Sequence, residues 1–191
     1  MGAVRFGPSY LPSRESPEEA IELLLQRGYD ACEIDFEGKF WMDWEFARRL
    51  GELARKAGIV LSVHAPLFAI VGRPEKDRKH RMAVGMLDHT AGLAVACGAE
   101  VVVVHPGYLF GRDHKDAVDS VVEQLAEVRE RLEGKDRAVP FGVEVMGRVN
   151  ELGTLAPSDL ANAIALRDIS LDVARGEFVC LVGASGCGNG A

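Results

Sequence analysis

Two hydrophobic rhythms alternate along this chain. Short runs rich in β-branched residues, IVLSVHAP (59–66), EVVVVHPG (100–107) and FGVEVMG (141–147), are too brief for surface helices and read as strands. Between them apolar residues recur every three or four positions, the spacing of a helix that buries one face. The consecutive valines before His105 imply a strand buried on both sides, as in a parallel sheet covered by helices.

Taken in order, the pattern predicts a short strand at Val4–Phe6 and a turn-rich GPSYLPS loop. A first helix follows, with Ser16 as N-cap, Pro17 in its first turn, Glu19 as a capping-box carboxylate and Gly28 as its stop. YDACEIDFEG is the second strand, and the second helix carries Phe46, Leu50, Leu53, Ala54 and Ala57 on one face before Gly58. IVLSVHAP is the third strand. After the basic segment RPEKDRKHR (73–81), a third helix is expected to bury Met82, Met86, Leu87, Thr90, Ala94 and Cys97. EVVVVHPG is the fourth strand, and its helix runs from about Lys115 to Glu133 with Val118, Val121, Val122, Leu125 and Leu132 on one face. FGVEVMG is the fifth.

Strands alternating with helices of this length indicate right-handed βαβ units and a parallel sheet. A closed barrel of eight such units takes roughly 250 residues. The expected fold is therefore α/β, an incomplete TIM (β/α) barrel of five βα units at residues 1–157. The pattern breaks near Pro157, and residues 158–191 read as a separate, hairpin-like tail. There apolar and polar residues alternate from Ile164 to Val173, turn at Arg175 and Gly176, and run from Phe178 to Val182 into a glycine-rich loop. Gly183, Gly186 and Gly188 would let backbone N–H groups approach a phosphate, but Asn189 and Gly190 stand where a phosphate loop needs Lys and Ser or Thr.

In such a barrel the C-terminal strand ends converge on one mouth. His64, His105 and Glu144 lie at the ends of the third, fourth and fifth strands, where they can reach a common metal. A lone histidine at a strand end is more often a hydrogen-bonded structural residue. A carboxylate in an otherwise apolar strand, by contrast, must be paired, protonated or metal-bound. The predicted ligands are His64, His105 and Glu144. Arg73, Lys76, Arg78, Lys79 and Arg81 are candidate DNA phosphate contacts, or equally a solvated loop and helix start diluted by Glu75 and Asp77. Trp41 and Trp44 either stack on a sugar or base or cover the barrel rim. Glu33 and Asp35 either face the mouth or, with Glu37, occupy ordinary polar strand positions.

A net charge of -7 argues against a protein that coats nucleic acid, and leaves room only for a local basic patch. The cysteines at 32, 97, 180 and 187 form no CxxC pair and read as reduced thiols of a cytoplasmic protein. No apolar run approaches membrane-spanning length.

The motifs RFGPS, SVHAP, VVVHPG and VEVMGRVNELGTL resemble the endonuclease IV family of zinc-dependent apurinic/apyrimidinic endonucleases, within the xylose-isomerase-like barrel superfamily, over residues 3 to 156. The resemblance implies zinc as cofactor, in a cluster of up to three ions. His64, His105 and Glu144 are then ligands, and Glu144 is the catalytic carboxylate that bridges two metals. It implies incision of DNA at abasic sites. The family's later aspartate and histidine ligands have no counterpart here, so fewer ions and an impaired activity are expected. Leu67 also departs from the aromatic residue that usually follows HAP. The open edges of a partial barrel call for a homodimer or another partner. Two alternatives remain: a sugar isomerase or epimerase of the same superfamily, and a non-catalytic remnant or fusion product. The tail ALRDISLDVARGEFVCLVGASGCG resembles the start of an ATP-binding cassette ATPase, the weakest of the functional readings because the lysine is missing.

Overall fold

Capping side chains and glycines cut the chain into its elements where the sequence pattern places them. In a computed structural model, residues 5–36, 38–73, 78–135 and 138–144 are described. They form α1 (Pro17–Gln26), β1 (Ala31–Asp35), α2 (Trp44–Ala57), β2 (Val60–His64), α3 (Arg78–Cys97), β3 (Val102–Val104), α4 (His114–Glu133) and β4 (Phe141–Val143). Ser16, Asp43 and Asp113 each accept from a backbone N–H of the first turn of their helix. Gly58 closes α2 in the left-handed conformation, which costs glycine no Cβ clash. The Glu19 carboxylate accepts from Ser13 Oγ at 2.6 Å, so it ties down the preceding loop.

The four strands are parallel and lie in chain order, β1-β2-β3-β4. An unreversed order of this kind belongs to a barrel wall, since a doubly wound sheet reverses its order at a switch point. The α/β architecture of an incomplete TIM barrel is thus the observed one. Its first expected strand is not regular. Phe6 O accepts from Asp30 N and Ala31 N, and Pro8 O accepts from Glu33 N, so residues 5–8 run beside β1 without forming a ladder. Pro8 has no N–H to give, and a Cβ on Gly7 would sit 1.7 Å from Ala31 O.

Cys32, Ile34, Leu61, Val63, Val102 and Val104 project from one face of the sheet into the helical layer. Leu24 of α1, Leu50 of α2, Leu87 of α3 and Leu132 of α4 are almost fully buried against them. Two expected core residues lie outside. Met82 is 47% exposed and Val122 is 61% exposed, because each helix turns a neighbouring stripe inward. In α3 that stripe is Ala83, Val84, Leu87, Ala91 and Ala94, and in α4 it is Ala117, Val121, Gln124, Val128 and Leu132. None of the described helices is long and apolar enough to cross a membrane.

Two glycines inside helices have opposite surroundings. A Cβ on Gly51 of α2 would lie 2.3 Å from Cys97 O of α3, whereas a Cβ on Gly85 meets nothing within 4 Å. Gly51→Ala should lower stability by about 1–3 kcal/mol through forced helix separation, and Gly85→Ala should raise it by roughly 0.5–1 kcal/mol. Urea unfolding followed by circular dichroism measures both, and equal midpoints would contradict the close α2–α3 crossing.

Candidate metal centre

Strand register assembles the site. Asp35 pairs with His64, His64 with Val103, and Val103 with Gly142. Side chains two residues apart on a strand share a face, so His105 and Glu144 stand on the same side of the sheet as His64, at its C-terminal edge. Backbone bonds from Ala65 N to Val103 O (2.9 Å) and from Glu144 N to Val104 O (2.9 Å) carry this alignment past the strand ends.

The three side chains meet. His64 Nε2 lies 3.1 Å from His105 Nε2 and 3.0 Å from Glu144 Oε2, and His105 Nε2 lies 3.5 Å from Glu144 Oε2. Their side chains are only 8%, 18% and 12% exposed. A buried carboxylate in this position is stabilised only by the imidazoles beside it or by a cation. His64 Nδ1 lies 2.8 Å from the Ala65 carbonyl, and a carbonyl can only accept, so the ring proton resides on Nδ1. The Nε2 lone pair then faces the cluster, as a metal-ligating imidazole requires.

The donor set fits a cation. Three donors about 2.0–2.1 Å from a tetrahedral zinc would stand about 3.3 Å from one another, and the observed separations are 3.0 to 3.5 Å. Two imidazoles with one carboxylate suit zinc better than magnesium or calcium, which prefer oxygen alone. Among the described residues this is the group of histidines, cysteines and carboxylates able to hold a metal ion. The described thiols do not compete: burial raises Cys32 and Cys97 to about 12, which keeps both protonated.

The inner face of β1 adds two carboxylates, each half-buried. Glu33 accepts from Ser62 Oγ at 3.4 Å. Burial is the main cause that lifts its carboxyl above the usual range; nearby Glu144 pushes the same way, while His64 opposes it. Asp35 pairs with Arg14 at 2.8 Å, and the Arg14 guanidinium lies 4.6 Å above the Trp41 ring. Trp41 donates from Nε1 to Asp35 O and packs on Phe36 and Phe46, while Trp44 packs edge-on against His89. Both tryptophans are thus packed against neighbouring rings.

The candidate basic residues divide. Arg73 stacks on Phe110 at 4.4 Å, and Arg78, Lys79 and Arg81 are exposed on the first turn of α3. Lys76, Glu37 and the glycines Gly183, Gly186 and Gly188 lie outside the described residues. Sequence reasoning missed the polar groups behind the site. His80 joins Arg73 O to Glu127, and Gln124 accepts from Gly72 N at 2.8 Å. Glu127 lies 47 residues from His80 and Gln124 lies 52 from Gly72, and only the glycines at 72, 107 and 111 hinted at close backbone packing there.

A family model described as a xylose isomerase-like TIM barrel matches residues 21–169. An uncharacterized protein of Methanocaldococcus jannaschii is 27% identical over 84% of this chain and 56% of its own length. A probable endonuclease 4 of Shouchella clausii is 30% identical over 48% of this chain and 30% of its own. The solved structure of a D-tagatose 3-epimerase-like protein is 28% identical, with a TM-score of 0.59, over 88% of this chain and 62% of that one. The chain thus spans about half the length, or less, of the curated relatives it matches.

Glu33 yields a signed pH effect. Because its carboxyl is raised in the folded chain, folding favours its protonated form, and the stability this provides is lost as pH rises above the ordinary carboxylate range. Glu33→Gln should therefore be more stable than the parent at pH 7 and equal to it below about pH 4. Urea titrations with a chelator present, repeated across pH, check this; a variant less stable at pH 7 would refute the assignment.

Proposed function

Since the chain belongs to the xylose isomerase-like TIM barrel family, we propose that His64, His105 and Glu144 hold zinc at the barrel mouth and serve phosphodiester hydrolysis in DNA at abasic sites. The observation that carries this reading is the donor set itself, two imidazole nitrogens and a carboxylate oxygen at mutual distances of 3.0 to 3.5 Å. The likeness to a probable endonuclease 4 supports it. When bound, zinc would supply the Lewis acidity that makes water a nucleophile at neutral pH and offsets charge on a phosphoryl oxygen.

The protein groups have separate tasks. The Ala65 carbonyl keeps the His64 proton on Nδ1, so Nε2 stays a donor to the ion. Glu144 would hold the ion together with the two imidazoles and supply negative charge to it. The low exposure of all three excludes bulk water and strengthens their electrostatic effect on a substrate. Arg73, Lys76, Arg78, Lys79 and Arg81 follow the His64 strand and give DNA phosphates a cationic approach in a protein of net charge -7.

A second reading is epimerisation of a ketose, favoured by the 28% identity with a D-tagatose 3-epimerase-like structure over most of this chain. That chemistry needs a base to take a proton from carbon beside a carbonyl and an acid to return it. Glu33 and Glu144 are the inward-facing carboxylates available for it.

Metal analysis and two assays separate the readings. We expect at least one zinc per chain and zinc-dependent incision of a duplex carrying a single abasic analogue, with His105→Ala lowering incision by roughly a hundredfold or more. Conversion of D-tagatose or D-fructose without incision would favour the epimerase, and protein that retains no zinc would exclude the metal centre.

A further inference from the structure

The loops behind the two imidazoles are locked together by a clamp on a single residue. Gly72 lies in the segment that follows His64. Its N–H donates to Gln124 Oε1 at 2.8 Å, and its carbonyl accepts from the guanidinium of Arg112. Arg112 lies in the loop that follows His105, and also donates to Leu109 O and Ser120 Oγ. One helix, α4, thus supplies Gln124 to the His64 loop and Ser120 to the arginine of the His105 loop.

The two loops touch through backbone. A Cβ on Gly107 would lie 2.2 Å from Val71 O, and one on Gly72 would lie 2.6 Å from Val121 Cγ2. Gly72 and Gly107 have positive φ, 76° and 78° respectively, so no other residue fits without strain. Phe110, a bulky residue, also adopts a left-handed φ of 51°, and Arg73 and Arg112 both lie over its ring, at 4.4 and 5.8 Å. A residue is kept in that region only where its surroundings over-determine it.

Gln124 is costly for stability alone. It is 1% exposed, in a stripe otherwise made of Ala117, Val121, Val128 and Leu132, and its Nε2 donates to nothing among the described residues. A methionine would fill the same space without that burden. What only the glutamine offers is an acceptor for Gly72 N–H.

We propose that Gln124 and Arg112 are positioning residues of the metal centre: by gripping the N–H and the carbonyl of Gly72 they fix the His64 loop to the His105 loop and preset the 3.1 Å spacing of the imidazoles. The proposal rests on the zinc reading above, because a preset spacing matters only if an ion is to be shared. Groups that orient ligands from behind typically change metal affinity by about 10–100-fold when removed.

The test compares zinc affinity with melting temperature in the full chain. Zinc dissociation constants come from chelator competition and ligand geometry from the visible spectrum of the cobalt-loaded protein, for the parent, Gln124→Met, Arg112→Gln and Leu132→Ala. Expected are zinc binding weakened by about tenfold or more in Gln124→Met and Arg112→Gln with an altered cobalt spectrum, and unchanged zinc affinity in Leu132→Ala despite a lower melting temperature. The second clamp variant carries the measurement should the first not fold. Parent-like affinity and spectrum in a folded clamp variant would overturn the positioning role alone, as would equal weakening in Leu132→Ala. A parent that binds no zinc would overturn the metal reading as well.

Discussion

Parallel pairing of neighbouring strands is the constraint on which everything else depends. Asp35, His64, Val103 and Gly142 stand side by side across the sheet, so a side chain two residues beyond Val103 or Gly142 must rise on the same face and at the same edge. His105 and Glu144 are those side chains. A slip of one residue at any pairing would turn one of them into the helical layer, where neither imidazole nor carboxylate could be satisfied. Burial on the opposite face, where Ile34, Val63, Val102 and Val104 lie against helices, favours this register.

That arrangement makes the centre electrostatically tense. A carboxylate and two imidazoles with little exposure are brought within hydrogen-bond distance, and Glu33 lies close enough for its own carboxyl to be raised in part by Glu144. The donor atoms of the three side chains lie within reach of one cation. The His64–Ala65 contact, which decides where the ring proton sits, is consistent with that role. The tension is confined to the mouth. Farther out, Arg14, Trp41 and Asp35 satisfy one another, and the exposed ion pairs on the helices contribute little.

The relatives set the scale of what this chain can do. They include a protein named for endonuclease activity and one likened to a sugar epimerase, so family membership restricts the fold more tightly than the substrate. The match covers only part of each relative, and the described strands form one arc of a barrel wall. Within that arc two imidazoles and one carboxylate form the group able to hold a metal ion among the described residues.

Periodicity and punctuation were enough to determine the alternation of helices and strands. Valines in series, Ser16 with Pro17, and the terminal glycines act locally, through β-branching, capping and positive φ, so they are legible in a linear chain. The positions of His64, His105 and Glu144 at strand ends were legible for the same reason. What the folded chain alone decided was rotation and contact. Met82 and Val122 face outward because small residues and Gln124 claimed the inner stripes, a choice made by the shape of the opposing surface. Residues 5–8 lack a regular ladder because Gly7 and Pro8 meet β1 at a distance no local rule foresees. Gln124, Gly72 and Arg112 find one another across tens of residues, and only the crossing of α4 over two loops brings them together. Short-range preferences are written residue by residue, whereas the distance between two imidazoles is a property of packed elements.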